Sequence, residues 1–128
     1  MIIKESAENY LEAILMLKEK NGYARSIDIA NMLGFSKASV SVAMKNLRND
    51  GYITTDEGGC LSLTQKGLDV AEVIYEKHNI IAKALIMLGV SVDTAYEDSC
   101  KIEHHLSRES FEKIKAYLNA IEKGDTEK

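Results

Sequence analysis

No proline occurs anywhere in this chain of 128 residues, so its helices can run until a glycine or a capping residue stops them. Eight glycines supply the punctuation. Ser6 can cap a first helix running to about Lys20, with Ala7, Tyr10, Leu11, Ile14 and Leu17 on its apolar stripe. Asn9 and Glu12 lie three apart on an adjacent face. Ser26 starts a second, short helix, Ile27 to Leu33, which Gly34 ends as a C-terminal cap. Ser36 caps a third helix reaching Asn49 and stopped near Gly51. Two short helices split by a glycine-containing turn form a helix-turn-helix pattern. Val40, Ala43, Met44 and Leu47 form the buried stripe of the third helix. Lys37, Ser39, Ser41 and Lys45 stay outside, toward the N-terminal half that usually meets base edges.

Tyr52–Thr55, then Asp56-Glu57-Gly58-Gly59, then Cys60–Leu63 read as strand, turn and strand, placed where a winged helix carries its wing. The acidic tip Asp56-Glu57 would be repelled by phosphate, which predicts a mainly structural hairpin. Thr64 caps a long helix to about Leu88, with Leu68, Ala71, Ile74, His78, Ile81, Leu85 and Leu88 on one stripe. That stripe is too extensive for so small a partner domain, and a second copy of the chain buries it most simply. Two further helices are expected at about 93–106 and 108–122, with Lys123–Lys128 frayed. The predicted fold is mainly α. It has a winged helix-turn-helix over residues 1–63, then a helical metal-binding and dimerisation unit over 64–128.

A net charge of −4 weighs against nucleic-acid binding until its distribution is considered. Arg25, Lys37, Lys45 and Arg48 face only Asp28 between positions 25 and 48, a local balance of +3. Candidate DNA contacts are therefore Arg25, Ser36, Lys37, Ser39, Ser41 and Lys45. No apolar run approaches the roughly 20 residues of a membrane span. With no signal-peptide layout and two cysteines, Cys60 and Cys100, the expectation is a cytoplasmic protein with reduced thiols. No oxyanion-hole glycine motif or phosphate loop accompanies Cys100 and His104, so no enzyme activity is expected.

The segment Cys100-Lys101-Ile102-Glu103-His104-His105 holds a thiol, a carboxylate and two imidazoles within six residues. On a helix, Cys100, Glu103 and His104 fall at i, i+3 and i+4 and point to one face. Sulfur, oxygen and nitrogen donors of this kind suit a first-row transition metal. His78 can add a ligand from the long helix, and Glu12 or Asn9 another from the first. The competing reading makes His104 and His105 surface residues, Cys100 a small hydrophobe and His78 a hydrogen-bonded core histidine.

Several motifs resemble the diphtheria toxin repressor family, and by length its manganese transport regulator branch. They are Tyr10-Leu11-Glu12-Ala13-Ile14, Gly22-Tyr23-Ala24-Arg25, Asp28-Ile29-Ala30, Leu63-Thr64-Gln65-Lys66-Gly67 and Ile102-Glu103-His104-His105-Leu106-Ser107. The resemblance implies a homodimeric winged-helix repressor of double-stranded DNA with a palindromic operator. Its co-repressor would be Fe(II) or Mn(II), with Zn(II), Co(II) or Ni(II) binding in vitro. The implied ligands are Asn9, Glu12, His78, Cys100, Glu103 and His104. The chain is expected to lack the extra SH3-like domain of the iron-type members.

Two positions depart from the manganese pattern: Asn9 stands where those members have an aspartate, and Cys100 where they have a glutamate. Iron-type members share a cysteine at position 100, with a methionine at 9. Ala82 and Tyr96 fall where their ancillary site has a carboxylate and a histidine. Losing two hard anionic oxygens and gaining a thiolate predicts one ion per subunit, with Fe(II) slightly ahead of Mn(II). A different regulator remains open, a winged helix that senses an organic ligand or thiol oxidation through Cys100 and keeps its DNA affinity in EDTA.

Overall fold

In the computed structural model, residues 5–123 are described, and the chain divides into two compact units at Val73–Ile74. The Met1–Lys4 run and residues 124–128 of the expected frayed tail lie outside the described residues. Elements follow in the order α1 (Glu5–Asn21), α2 (Ser26–Leu33), α3 (Lys37–Asn49), β1 (Ile53–Thr55), β2 (Leu61–Leu63), α4 (Gln65–Met87), α5 (Val92–Ile102) and α6 (Arg108–Glu122). The fold is mainly α with one small antiparallel hairpin, as the sequence predicts. No helix among the described residues is long and apolar enough to cross a membrane.

In the first unit, α1 carries Glu5 and Glu8 in its first turn and Lys18 and Lys20 in its last, matching the helix dipole at both ends. The helix begins at Glu5, so Ser6 lies inside its first turn and not at the cap. Its predicted stripe is buried at Tyr10, Leu11, Ile14 and Leu17, together with Ile29, Val40, Met44, Leu47, Ile53 and Leu61. Gly34, at φ +73°, ends α2 and returns its N–H to Ala30 O. Ser36 then caps α3, accepting from the Ser39 N–H at 3.1 Å. That three-residue turn, Gly34 to Ser36, sets the approach of α3 to α2.

The hairpin pairs Ile53 with Leu63 and Thr55 with Leu61. Arg25 bridges Cys60, and the Leu61 N–H donates to Ala24 O at 2.7 Å, so the wing root is tied to the segment before α2. Thr64 caps α4 as predicted, its hydroxyl accepting from the Gly67 N–H at 3.2 Å and donating to Gly51 O at 2.6 Å. Gly67 has no substitute here, because a Cβ would stand 2.1 Å from Tyr52 O.

The second unit is built from the later turns of α4 with α5 and α6. Its buried side chains are Ile74, His78, Ile81, Ala82, Ala95, Ser99, Glu103, Phe111 and Leu118. Ser91 and Ser107 cap α5 and α6 by accepting from the Thr94 and Ser110 N–H groups. Lys115 pairs with Glu76 at 2.7 Å, and Lys83 pairs with Glu122.

Candidate metal centre and nucleic-acid interface

Within the second unit, α4 places His78 opposite the end of α5. His78 Nδ1 lies 2.9 Å from Glu103 Oε1, 2.9 Å from Ser99 Oγ and 3.7 Å from Cys100 Sγ. The Ser99 hydroxyl also reaches His78 O at 2.7 Å, which fixes the backbone of α4 at this point. Glu103 is completely buried, and its Oε2 has no hydrogen-bond donor but stands 3.3 Å from His104 Nε2. Burial by itself favours neutral imidazole, yet the hydrogen bonds and charges of Cys100 and Glu103 push the His78 pKa up to about 10. One ring nitrogen is thus surrounded by acceptors that hold a cation, and in the metal-free protein that cation is a proton.

These donors fit a divalent ion. Nitrogen and oxygen ligands stand roughly 2.0–2.2 Å from a metal and thiolate about 2.3 Å, which puts neighbouring ligand atoms about 3–3.7 Å apart. The spacings around His78 Nδ1 match that interval, and a buried carboxylate oxygen without a donor is one a cation satisfies.

The structure brings four of the expected ligands together: His78, Cys100, Glu103 and His104. Cys100 is exposed, while the His104 side chain is buried. Asn9 and Glu12 belong to α1 in the first unit, Glu12 buried and Asn9 half-buried. The expected helix over 93–106 is shorter, since α5 ends at Ile102. Glu103 keeps α-helical angles and donates its N–H to Ser99 O, so its relation to Cys100 survives. His104 lies in the turn beyond. There the His105 and Leu106 N–H groups both close on Ile102 O, leaving Ser107 free to cap α6.

Ser99 is the group that reading the sequence missed, and its one signal is its place four residues before Glu103 on the same face. Tyr96 also meets the site, its ring 5.3 Å from that of His78.

In the first unit, α3 carries the candidate nucleic-acid face. Lys37, Ser41 and Lys45 are exposed on it, and α3 contains no acidic residue. Ser36 and Ser39 are joined through their hydroxyls at 3.0 Å, so both serve the helix cap. Arg25 donates from its guanidinium to Gly58 O and thereby holds the wing turn. Asp56 is occupied inside that turn, accepting from the Cys60 N–H at 2.9 Å. A cleft lined by Ser26, Ile27, Lys37 and Ser41 opens on the same side as α3's lysines.

A second exposed feature lies in the second unit, where Ala84, Met87, Leu88, Ile114 and Tyr117 line an apolar groove. Leu88 is 81% exposed and Tyr117 66%, so the far end of the long stripe is unburied within one chain.

Comparison with known proteins agrees with this division of labour. Residues 3–59 match the model of the iron-dependent repressor N-terminal DNA-binding domain. Residues 64–126 match that of the iron-dependent repressor metal-binding and dimerisation domain. The HTH-type transcriptional regulator MntR of Bacillus subtilis is 35% identical, over 96% of this chain and 87% of its own. An HTH-type transcriptional regulator of Methanocaldococcus jannaschii is also 35% identical, over 91% of this chain and 94% of its own. Among solved structures, the manganese regulator SloR superposes with a TM-score of 0.77 at 28% identity. There the match covers 93% of this chain and 55% of that one, so this chain spans about half of SloR.

Proposed function

The chain belongs to the iron-dependent repressor family of metal-dependent DNA-binding regulators, and on that premise we propose that it is a homodimeric repressor with Mn(II) or Fe(II) as co-repressor. The observation that carries the reading is the buried pair of His78 and Glu103, 2.9 Å apart, with the Cys100 sulfur 3.7 Å from the same ring nitrogen. Residues 1–63 form the DNA-binding domain and residues 64–128 the metal-binding and dimerisation domain.

Asn9, Glu12, His78, Cys100, Glu103 and His104 would hold the ion, one per subunit. When bound it supplies positive charge that neutralises Glu103 and the Cys100 thiolate. His78 would give up its Nδ1 proton to act as a ligand, and Ser99, whose hydroxyl donates to His78 O, would go on holding that turn of α4 in place. With Asn9 and Glu12 on α1, and the other proposed ligands on α4, at the end of α5 and in the turn after it, an ion held by all of them would restrict α1 and the DNA-binding domain that it belongs to. That restriction biases the two α3 helices of the dimer toward the spacing of a palindromic operator. A coupling of about 1–3 kcal/mol changes operator affinity roughly 5–150-fold. On the DNA side, Lys37 and Lys45 meet phosphates and Ser41 meets base edges, with Arg25, Ser36 and Ser39 shaping that surface. The apolar groove at Leu88 and Tyr117 is the dimer surface, which a second copy of the chain covers.

The test is fluorescence anisotropy of the full chain on DNA from upstream of its own gene and on a selected random pool, under anaerobic conditions. Binding with Mn(II) or Fe(II) that is lost in EDTA supports the reading. Equal binding in EDTA refutes the co-repressor role.

A further inference from the structure

The outward crest of α3 carries a side chain that neither folding nor phosphate binding explains. Val42 is 60% exposed, and it is the one large apolar side chain exposed on α3 among the described residues. At 3.6 residues per turn it points away from the buried stripe of Val40, Met44 and Leu47, on a line with Ala38 and Lys45. A β-branched residue at an exposed mid-helix position lowers helix propensity and gains no burial. Phe35, also exposed, differs in packing edge-on against Tyr10. Lys45 lies one turn beyond Val42 on the same side and α3 holds no acidic residue, a basic setting that fits an anionic partner and not a second apolar protein face.

In the major groove of DNA, the apolar feature that base edges offer is the thymine C5-methyl group. We infer that Val42 is a specificity-determining residue that packs on a thymine methyl in each operator half-site, with Ala38 leaving room for the approach. The inference rests on the DNA-binding reading above and adds which base the helix selects. Ser41 and Lys45, one turn or less away, then set the register of that contact on the duplex.

The experiment takes duplexes enriched from a random pool by the homodimer with Mn(II), and replaces each thymine in turn by deoxyuridine, which lacks only the methyl. Removing one buried methyl costs about fourfold in affinity per half-site, or roughly 15-fold for a symmetric double replacement. Anisotropy should show that loss at one thymine position per half-site for the wild-type protein and no loss there for Val42→Ala. The Ala variant raises helix propensity, so α3 remains folded and other positions keep their effects. Two results would overturn the inference: no uracil replacement matters, or the same replacement costs both proteins equally. Failure to enrich any sequence in Mn(II) or Fe(II) would instead overturn the DNA-binding reading, and the inference with it.

Discussion

His78 Nδ1 and Glu103 Oε1 stand 2.9 Å apart, and their side chains are 8% and 0% exposed. A buried carboxylate costs several kcal/mol unless a cation accompanies it. In the metal-free protein the protonated imidazole is that cation, and in the proposed site a divalent ion would take over the role as His78 gives up its proton. On the proposed ligand set, the same two residues would stabilise the fold without metal and hold the ion when it is present.

This exchange gives a pH dependence of definite sign. The His78 pKa is raised from 6.5 to about 10, so at pH 8 the metal-free site is protonated. Metal uptake at pH 8 should release a proton from His78, and affinity should rise with pH until about 10. Titration calorimetry in buffers of different ionisation enthalpy counts the protons. The linked stability of the metal-free protein is fully present below pH 6.5 and is lost as pH climbs through about 10. Urea unfolding across that range should show the decline.

Ser99→Ala should weaken metal binding by about 10-fold, the low end of the usual cost of losing an outer partner of a metal site, because with metal bound its hydroxyl holds only the His78 carbonyl. The hydroxyl touches both His78 Nδ1 and His78 O, so its loss frees the ring and the helix beneath it. Competition with a fluorescent chelator measures the affinity, and unchanged affinity would show that Ser99 only fills space.

On the proposed ligand set, Cys100 is the donor that sets the ion preference. Cys100→Glu replaces a thiolate by a hard carboxylate and should shift selectivity toward Mn(II). A Co(II) complex of the wild type should show thiolate-to-cobalt charge-transfer absorption, and Cys100→Ser should remove it. Persistence of that absorption in the Ser variant would place the sulfur outside the shell.

Gly67→Ala tests the close approach of α4 to the segment before the hairpin. Its new Cβ would meet Tyr52 O at 2.1 Å, and because that neighbour is backbone the strain has no easy outlet. A destabilisation of about 1–3 kcal/mol is expected, toward the upper end, by urea unfolding.

What the sequence shows well are features with local causes. The stripes of α1 and α3, the caps at Ser36 and Thr64, and the αL turn at Gly34 all act within a few residues, and all are found. The end of α5 was not legible, because Glu103 keeps helical angles and only the turn that seats Ser107 departs from the pattern. Ser99 escaped notice since serine is no metal ligand and its role depends on a helix 21 residues away. Arg25 was legible as charge, but its bond to Gly58 needs the hairpin to be folded first. His78 on an apolar stripe is ambiguous alone, and its meaning comes from what α5 sets beside it.

The central claim is that ion binding at His78 and Glu103 governs DNA affinity. Its most direct test is the affinity ratio with and without Mn(II) or Fe(II), compared between the wild type and Glu103→Gln on the same selected duplex. The account predicts a 5–150-fold ratio for the wild type and a ratio near one for the variant, with equal metal-free affinities. An undiminished metal response in Glu103→Gln would contradict it.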